Sequence, residues 1–340
     1  MKIQVDSRSL KGFLSDFVGN TNALLNFKTD GSKLHMQYLG DYTAEKSLDC
    51  KSLDGDVVEV NASFNASKVL NVIDDNEPVT IFFSPDIIYL EQGNFHSMLE
   101  IEYEARRSFA NTAELELKDI HAGMLKFLVH QTVTCLPMAK EVSIANPDPI
   151  FSKGKYYVDF NQSIYLNVFD FVECCISIDV LRAFAFKLDD STKYCYIPEL
   201  SVIYFKTDRY EFWIPTMNYN IDANVVNTCD KKIAESKVIA NVCFREYAKQ
   251  FKSVSTAFPK QTMQLGFSNN DIQLKASTTN TQVTIGETND VMAVVNVTSA
   301  QLSVIASLFG EDENVVVRRG GNCICLIAME KIMLIAETLY

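Results

Sequence analysis

The chain has 340 residues and a formal net charge of −12, with 47% hydrophobic and 22% charged residues. This length allows two or three domains with separate cores, and the apolar content predicts that the whole chain folds. The acidic balance argues against a uniform nucleic-acid-binding surface, so such a function would require positive charge concentrated on one face.

The sequence shows no sign of a membrane or secretory protein. No stretch approaches the 18 or more apolar residues of a membrane span, and the start, MKIQVDSRSL, lacks the apolar core of a signal peptide. The nine cysteines are odd in number and include no CxxC pair. Cys174 and Cys175 are adjacent, and Cys323 and Cys325 alternate along a predicted strand. We therefore expect reduced thiols in a cytoplasmic protein.

One pattern recurs along the chain: a short extended run, an amphipathic helix, and then strands of alternating polarity. In the first copy, Leu10, Phe13, Leu14 and Phe17 follow helical spacing, and Gly19 is placed to end the helix. The six predicted helices cover 7–18, 65–73, 118–130, 177–188, 242–254 and 298–309. Such a nearly constant period is typical of a repeat architecture.

The last repeat carries the clearest helix boundaries. Thr298 is the expected N-cap, and Gly310 is the expected residue just after the helix end. Gln301, Ser303 and Ser307 are expected on its outward face, which makes this helix surface neutral.

Between the helices the polarity alternates with period two, which predicts antiparallel meanders over 79–103, 262–287 and 313–340. The expected turns are Ser84-Pro85-Asp86, Gln92-Gly93-Asn94, Asn269-Asn270-Asp271 and Gly320-Gly321-Asn322. Two repeats can pack their helices side by side against a sheet and so form one α+β domain. The chain then has three domains, at 1–108, 112–222 and 230–340, with boundaries in the polar stretches 105–113 and 220–236.

This organisation resembles the DNA sliding clamp family, in the three-domain form of bacteria and some phages. The resemblance rests on the six-fold repeat, the three domains and the segment AVVNVTSAQLSVIASLFGEDENVVVRRGGNCICLIAMEKIMLIAETLY. It implies a non-enzymatic processivity factor that encircles duplex DNA as a head-to-tail homodimer and tethers a polymerase. Helices would line the ring, sheets would lie outside, and edge strands of the first and third domains would pair across chains.

A ring of this kind requires basic inner helices. The predicted helices contain ten basic residues and four carboxylates, a net +6, which leaves −18 for the rest of the chain. The predicted DNA-binding residues are Arg8, Lys11, Lys68, Lys118, Lys126, Arg182, Lys187, Arg245, Lys249 and Lys252. Arg245, Lys249 and Lys252 follow i, i+4, i+7 spacing and suit non-specific phosphate contact. The alternative, that these cations simply solvate helix surfaces, stays open.

The resemblance also implies that the polymerase and the clamp loader dock a peptide in an apolar pocket beside the C-terminal tail. Met333, Leu339 and Tyr340 are the candidate pocket residues in this chain. Leu339 and Tyr340 could equally complete the last strand.

No catalytic arrangement is visible in the sequence. The four histidines, His35, His96, His121 and His130, have no partners at metal-ligand spacing. We therefore expect no enzyme activity, no metal and no cofactor. Two alternatives to the clamp remain: an open processivity factor held on DNA by charge alone, and a β-rich structural or assembly protein with no DNA role.

Overall fold

The structure is a computed structural model that describes residues 1–17, 24–54, 60–65, 73–84, 86–101, 112–141, 147–160, 163–217, 223–268, 271–278, 280–286, 291–320, 323–329 and 331–336. The chain divides into two compact units. Unit 1 comprises Met1–Ile120 and Leu188–Pro215, and unit 2 comprises His121–Lys187 and Thr216–Tyr340.

The described residues include six α-helices and 24 strands. The helices are α1 Ser7–Phe17, α2 Ala122–Glu141, α3 Ile178–Phe184, α4 Ala223–Glu235, α5 Ala248–Ala257 and α6 Ser299–Leu308. The strands of unit 1 are β1 Lys2–Val5, β2 Leu24–Thr29, β3 Lys33–Leu39, β4 Thr43–Ser52, β5 Val60–Asn65, β6 Val79–Phe83, β7 Ile87–Gln92, β8 Phe95–Glu100, β9 Lys118–Asp119, β14 Lys193–Ile197, β15 Val202–Lys206 and β16 Glu211–Pro215. The strands of unit 2 are β10 Ile150–Ser152, β11 Lys155–Asp159, β12 Ser163–Val168, β13 Cys174–Cys175, β17 Lys237–Val242, β18 Thr262–Phe267, β19 Ile272–Ser277, β20 Gln282–Ile285, β21 Ala293–Thr298, β22 Val315–Gly320, β23 Cys323–Ala328 and β24 Lys331–Ala336.

Unit 1 is built on one antiparallel sheet of 12 strands. Its main path runs β8-β7-β6-β1-β4-β16-β15-β14-β9, and β2, β3 and β5 branch from β4. The step from β4 to β16 joins distant parts of the sequence, with Phe212 opposite Ala44. Helix α1 packs on this sheet through Phe13 and Phe17, and the Phe17 ring lies 5.1 Å from that of Tyr38.

Unit 2 contains two antiparallel sheets. The eight-stranded sheet runs β13-β10-β11-β12-β24-β23-β22-β17, and the four-stranded sheet runs β20-β19-β18-β21. The pairing of β12 with β24 places Tyr165 opposite Met333 and brings the last described strand into the middle of the larger sheet. Helix α6 packs against both α2 and α5, so these three helices share one core.

The predicted α+β class is confirmed, as are α1, α6 and all three meanders. The turn at Gln92-Gly93-Asn94 is also confirmed, and Gly93 has the positive φ of 53° that such a turn favours. The Gly19 position, the second predicted helix beyond residue 65, and parts of the other three predicted turns lie outside the described residues. The three-domain division stays a prediction.

Two predicted helices begin later than expected. Residues 118–119 form the short strand β9, paired with β14, and the helix starts at Ala122. Near residue 242, a 3-10 turn over Phe244–Glu246 precedes α5. The fourth predicted helix also ends in a 3-10 turn, Ala185–Lys187. In each case the apolar spacing correctly predicted that a helix is present but did not predict where it begins or ends.

The stretch 220–236, predicted as a polar interruption near a domain boundary, contains helix α4, which the sequence pattern did not indicate. Val226 and Cys229 are buried, and Ile233 packs beside them against the cluster that includes Leu334. This apolar stripe has helical spacing, but Asn, Asp and Lys between its members hid it. Packing on the sheet therefore stabilises a helix that has only a narrow apolar side.

Thr298 is the N-cap of α6 as predicted, and it forms a capping box with Gln301. Gly310 follows the C-cap Phe309, but its role is close packing. A Cβ on Gly310 would lie 2.2 Å from the Ala306 carbonyl oxygen and 2.9 Å from the Ala248 Cβ.

All nine cysteines are free thiols. Burial raises the pKa of the Cys175 and Cys325 thiols to about 12, so both are protonated at neutral pH. No helix within the described ranges is long and apolar enough to cross a membrane.

Candidate nucleic-acid interface

Helix α2 divides into an apolar side and a basic flank. Its side chains that point into unit 2 are Leu125, Leu128, Val129, Cys135, Met138 and Ala139, all buried. Its exposed or half-exposed flank carries Lys126, His130, Val133, Pro137 and Lys140. These residues recur at three or four positions apart and therefore lie on the same flank of the helix.

Helix α5 repeats this arrangement. Phe251 and Val254 are buried, whereas Lys249, Lys252 and Thr256 are exposed on the other side. The predicted pair Lys249 and Lys252 therefore does face away from the core.

Helix α6 lies between them and contributes hydroxyl groups but no charge. Ser303 is half-buried and Ser307 is exposed, as predicted. Gln301 was expected on the outward face, and this was wrong, because it is only 5% exposed. Its side chain accepts from the Thr298 N–H and donates to the Ser163 hydroxyl at 2.8 Å. The capping box turns this side chain inward.

A cleft of about 820 Å³ lies where the three helices meet. Its walls come from α2, from α5 with the turn after it, and from the first turns of α6. The lining residues are Pro137, Lys140, Ser255, Thr256, Pro259, Lys260, Thr298, Ser299, Ala300 and Ser303. Since Pro137, Lys140 and Thr256 belong to the exposed flanks of α2 and α5, both flanks border the same surface.

This surface is strongly depleted in carboxylates. Helices α2, α5 and α6 together contain four lysines and one acidic residue, Glu141, in a chain of net charge −12. Within the described residues, Lys126, Lys249 and Lys252 lie next to no carboxylate at ion-pair distance. Flexible, unpaired ammonium groups on one face suit the non-specific attraction of phosphates.

Other predicted DNA-binding residues have protein partners. Arg245 lies in the 3-10 turn before α5, where it contacts the Glu313 carboxylate and donates to the Glu311 carbonyl at 2.9 Å. The turn interrupts the helix, so Arg245 does not continue the stripe of Lys249 and Lys252. Its contacts instead fix the turn that follows α6.

In unit 1, both α1 cations lie against Asp75. Lys11 is 3.1 Å from its carboxylate, and Arg8 donates to its carbonyl at 3.3 Å. Lys118 was predicted on a helix, and this was wrong, because it lies on strand β9. The helix begins four residues later, where the apolar packing on unit 2 starts.

The remaining predicted residues have mixed positions. Arg182 on α3 is 3.8 Å from Asp179, and Lys187 lies in the 3-10 turn that follows. Lys68 lies outside the described residues. Helix α3 and the 3-10 turn after it both pack against α2.

The predicted partner pocket is only partly described. Met333 is fully buried in the middle of β24, between its neighbours β12 and β23. Leu339 and Tyr340 lie outside the described residues. The pocket stays a prediction.

Sequence reasoning missed Lys140 and Lys260, since the predicted helices ended at 130 and 254. A signal was present: Cys135, Met138 and Ala139 continue the apolar spacing of α2 through Pro137. Within the described residues, no group of three or more His, Cys, Asp or Glu side chains could hold a metal ion. The lysine ammonium groups and the serine and threonine hydroxyls that line this face offer charge attraction and hydrogen bonding.

The fold matches solved bacterial DNA polymerase III β clamps over 100% of both chains. Among them are the Caulobacter crescentus pol III β, with a TM-score of 0.77 at 10% identity, and the Pseudomonas aeruginosa subunit β, with 0.76 at 8%. The Helicobacter pylori β clamp bound to a DNA ligase peptide matches with a TM-score of 0.72 at 11% identity. The chain therefore has the sliding clamp fold.

Sequence comparisons give no corresponding result. No protein-family model matches the chain, and no curated protein matches it. At identities this low, the shared fold is what the comparisons establish.

Proposed function

We propose that this protein is a DNA sliding clamp, a non-enzymatic processivity factor that encircles duplex DNA and tethers a polymerase to it. The observation that carries the proposal is the lysine-rich, carboxylate-poor surface shared by α2, α5 and α6. In an acidic protein, this concentration of positive charge is what a polyanion inside a ring requires.

The contacts with DNA should be weak and non-specific. Lys126, Lys249 and Lys252 are point charges on flexible stems, and such groups contact phosphates without reading bases. A topological ring needs no tight binding, because its grip comes from enclosure. The acidic remainder of the chain would repel DNA from the outer surface.

The proposed ring is a head-to-tail homodimer of three-domain chains. Strand β8 ends the sheet of unit 1 and strand β20 ends the smaller sheet of unit 2, so each has a free edge within its described sheet. Pairing of such edges between two copies would remove them from solvent. Exposed Phe82, Tyr89 and Met98 form a cross-strand row that leads to β8, which supports a protein contact there.

The proposed partners are duplex DNA, a DNA polymerase, a clamp loader and a second copy of the chain. The Helicobacter pylori clamp was solved with a DNA ligase peptide, which supports a peptide-docking role for this chain as well. The candidate pocket residues remain Met333, Leu339 and Tyr340. A cytoplasmic location also remains a prediction.

The decisive experiment compares retention on circular and linear DNA. Loaded protein should stay on nicked circular duplex and slide off after the circle is linearised. The triple variant Lys126→Glu, Lys249→Glu and Lys252→Glu should shorten retention on the circle at least roughly tenfold, because like charge then faces the phosphates. A matched control replaces three exposed sheet lysines of unit 1, Lys33, Lys51 and Lys206, by Glu.

Equal effects of the two triple variants would contradict the assignment of the inner face. Salt-sensitive loss from both DNA forms would favour an open, charge-held factor. No retention on either form, even with a loader, would favour a structural protein. Native mass, measured in parallel, tests the dimer directly.

A further inference from the structure

The cleft between α2, α5 and α6 has a rim held in an unusual backbone conformation. Lys260 adopts a left-handed backbone, with φ of 61°. Its N–H donates to the Ser299 hydroxyl at 2.8 Å, and the Ser299 N–H donates to the Gln261 carbonyl at 3.1 Å. A non-glycine residue in this region is strained, and these hydrogen bonds offset the strain. They fix Lys260 at the rim.

Positive charge faces the cleft from two elements. Lys140 comes from the last turn of α2 and Lys260 from the turn after α5, and both are exposed. Among the described residues, no carboxylate lines the cleft. Two ammonium groups on a shared cavity suit a phosphate group.

The other lining groups suit the remainder of a nucleotide. The Ser255 and Thr256 hydroxyls both donate to the Lys252 carbonyl at 2.9 Å, so their lone pairs are left to accept hydrogen bonds. The hydroxyl groups of a sugar and the N–H groups of a base can donate hydrogen bonds to these lone pairs. Pro137 and Pro259 add apolar surface. The cleft volume of about 820 Å³ is far larger than a phosphate and is in the usual range for small-molecule sites.

Together these features point to a nucleotide. We infer that this cleft binds a single nucleotide unit, with its phosphate on Lys140 and Lys260 and its sugar and base against the prolines and hydroxyls. The source is either a free nucleotide or an unpaired residue of a DNA strand. Paired bases in a duplex are stacked and cannot enter the cleft.

The lysines on the neighbouring helix flanks favour an unpaired DNA strand over a free nucleotide as the ligand. Lys126 on α2, and Lys249 and Lys252 on α5, lie on the helix flanks that end at the cleft. Phosphates next to a bound nucleotide would therefore meet more lysines. This inference goes beyond the encircling of duplex DNA, because binding in the cleft does not require a ring.

The test uses the full chain with three probes: thymidine 5′-monophosphate, a fluorescent ten-residue oligo-dT, and inorganic phosphate. Lys260→Gly is the central variant, since glycine adopts a positive φ readily and removes the ammonium group without straining the fold. Lys153→Gly is the matched control, because Lys153 is also left-handed, with φ of 52°, and does not line the cleft. Lys140→Gln tests the second cation.

Lys260→Gly and Lys140→Gln should each raise the Kd for oligo-dT at least roughly fivefold, and both together should lower the salt slope by about 0.7 for one lost phosphate contact. Lys153→Gly should leave both quantities unchanged. Competition by the monophosphate would support a free nucleotide as a ligand, whereas binding of oligo-dT alone would support a strand.

Two results would overturn the inference: wild-type affinity for oligo-dT in Lys260→Gly, or displacement of oligo-dT by inorganic phosphate at the same concentrations at which the monophosphate displaces it. The inference and the proposed clamp function can fail separately. The wild-type protein could be lost from circular duplex and still bind oligo-dT through Lys260. That result would contradict the proposed clamp function and support nucleotide binding in the cleft.

Discussion

Helix α1 in unit 1 and helix α6 in unit 2 were predicted from the same sequence pattern. The ion pairs at these two helices differ in how much solvent reaches them. Lys11 and Asp75, beside α1, are 3.1 Å apart with side chains 34% and 53% exposed. Lys331 and Asp312, beside the end of α6, are 2.5 Å apart with side chains 13% and 9% exposed. Two Lys–Asp pairs therefore differ in solvation, which sets the free-energy cost of breaking them.

The largest expected effect comes from breaking the buried pair. Lys331→Met leaves the Asp312 carboxylate without its cation and the Leu308 carbonyl without a donor, so unit 2 should lose about 3 kcal/mol of unfolding free energy. Urea denaturation followed by circular dichroism measures this loss, and hydrogen exchange assigns it to unit 2.

Lys11→Met is the control and should cost less than about 1 kcal/mol, because water already solvates that pair. Adding Asp312→Leu to Lys331→Met should recover part of the loss. Equal, small effects at Lys331 and Lys11 would show that burial does not separate the two pairs.

A second contrast concerns two glycines. Gly310→Ala places a methyl group against the Ala306 carbonyl and Ala248, and should cost about 2 kcal/mol by forcing α5 and α6 apart. Gly12→Ala in α1 meets no atom within 4 Å and should stabilise unit 1 by up to about 1 kcal/mol. Thermal unfolding of the two variants gives shifts of opposite sign. A shift of the same sign in both would contradict the packing described for Gly310.

The smallest expected effect on stability comes from two aspartates that accept hydrogen bonds at helix starts. Their substitution should change stability in opposite directions. Asp6 accepts from the Ser9 N–H at 2.8 Å, and its hydrogen bonds with Ser9 lower the pKa of its carboxyl below 3.8. Asp148 accepts from the Ile178 N–H at 3.0 Å, but burial raises the pKa of its carboxyl above 3.8.

The contribution of Asp6 to stability is present above pH 3.8 and is lost as pH falls through its lower folded pKa. That of Asp148 is present below pH 3.8 and is lost as pH rises through its higher folded pKa. At pH 7, Asp6→Asn should therefore destabilise and Asp148→Asn should stabilise, each by less than about 1 kcal/mol. Both differences should shrink towards pH 3, and equal signs at pH 7 would contradict the burial of Asp148.

Much of the fold was predictable because local periodicity reports which side of an element is buried. Leu10, Phe13 and Phe17 identified α1, and alternation over 262–287 identified three strands. Helix ends were less predictable. Lys118 belongs to β9 because β14 offers it a strand partner, and that pairing is remote in sequence. Helix α4 was missed because its apolar stripe is narrow. Packing of that stripe against the sheet stabilises the helix, and the local sequence does not show this packing.

The candidate site was predicted in part. The outward positions of Lys249 and Lys252 follow from helix spacing relative to Phe251. Arg245 has the same spacing, but a 3-10 turn and Glu313 remove it from the stripe. Lys260 was not predictable as a site residue, since its left-handed backbone is held by the hydrogen bond from its N–H to the Ser299 hydroxyl at the start of α6.

The sequence by itself determined the α+β class, the repeating helix-and-meander order and the excess of lysine on the helices, because each of these is encoded within a few turns or strands. Only the tertiary structure decided which lysines remain unpaired among the described residues, and that α2, α5 and α6 enclose one cleft. Those properties depend on contacts between residues far apart in the chain, where burial and neighbouring charges, not local spacing, set the energy.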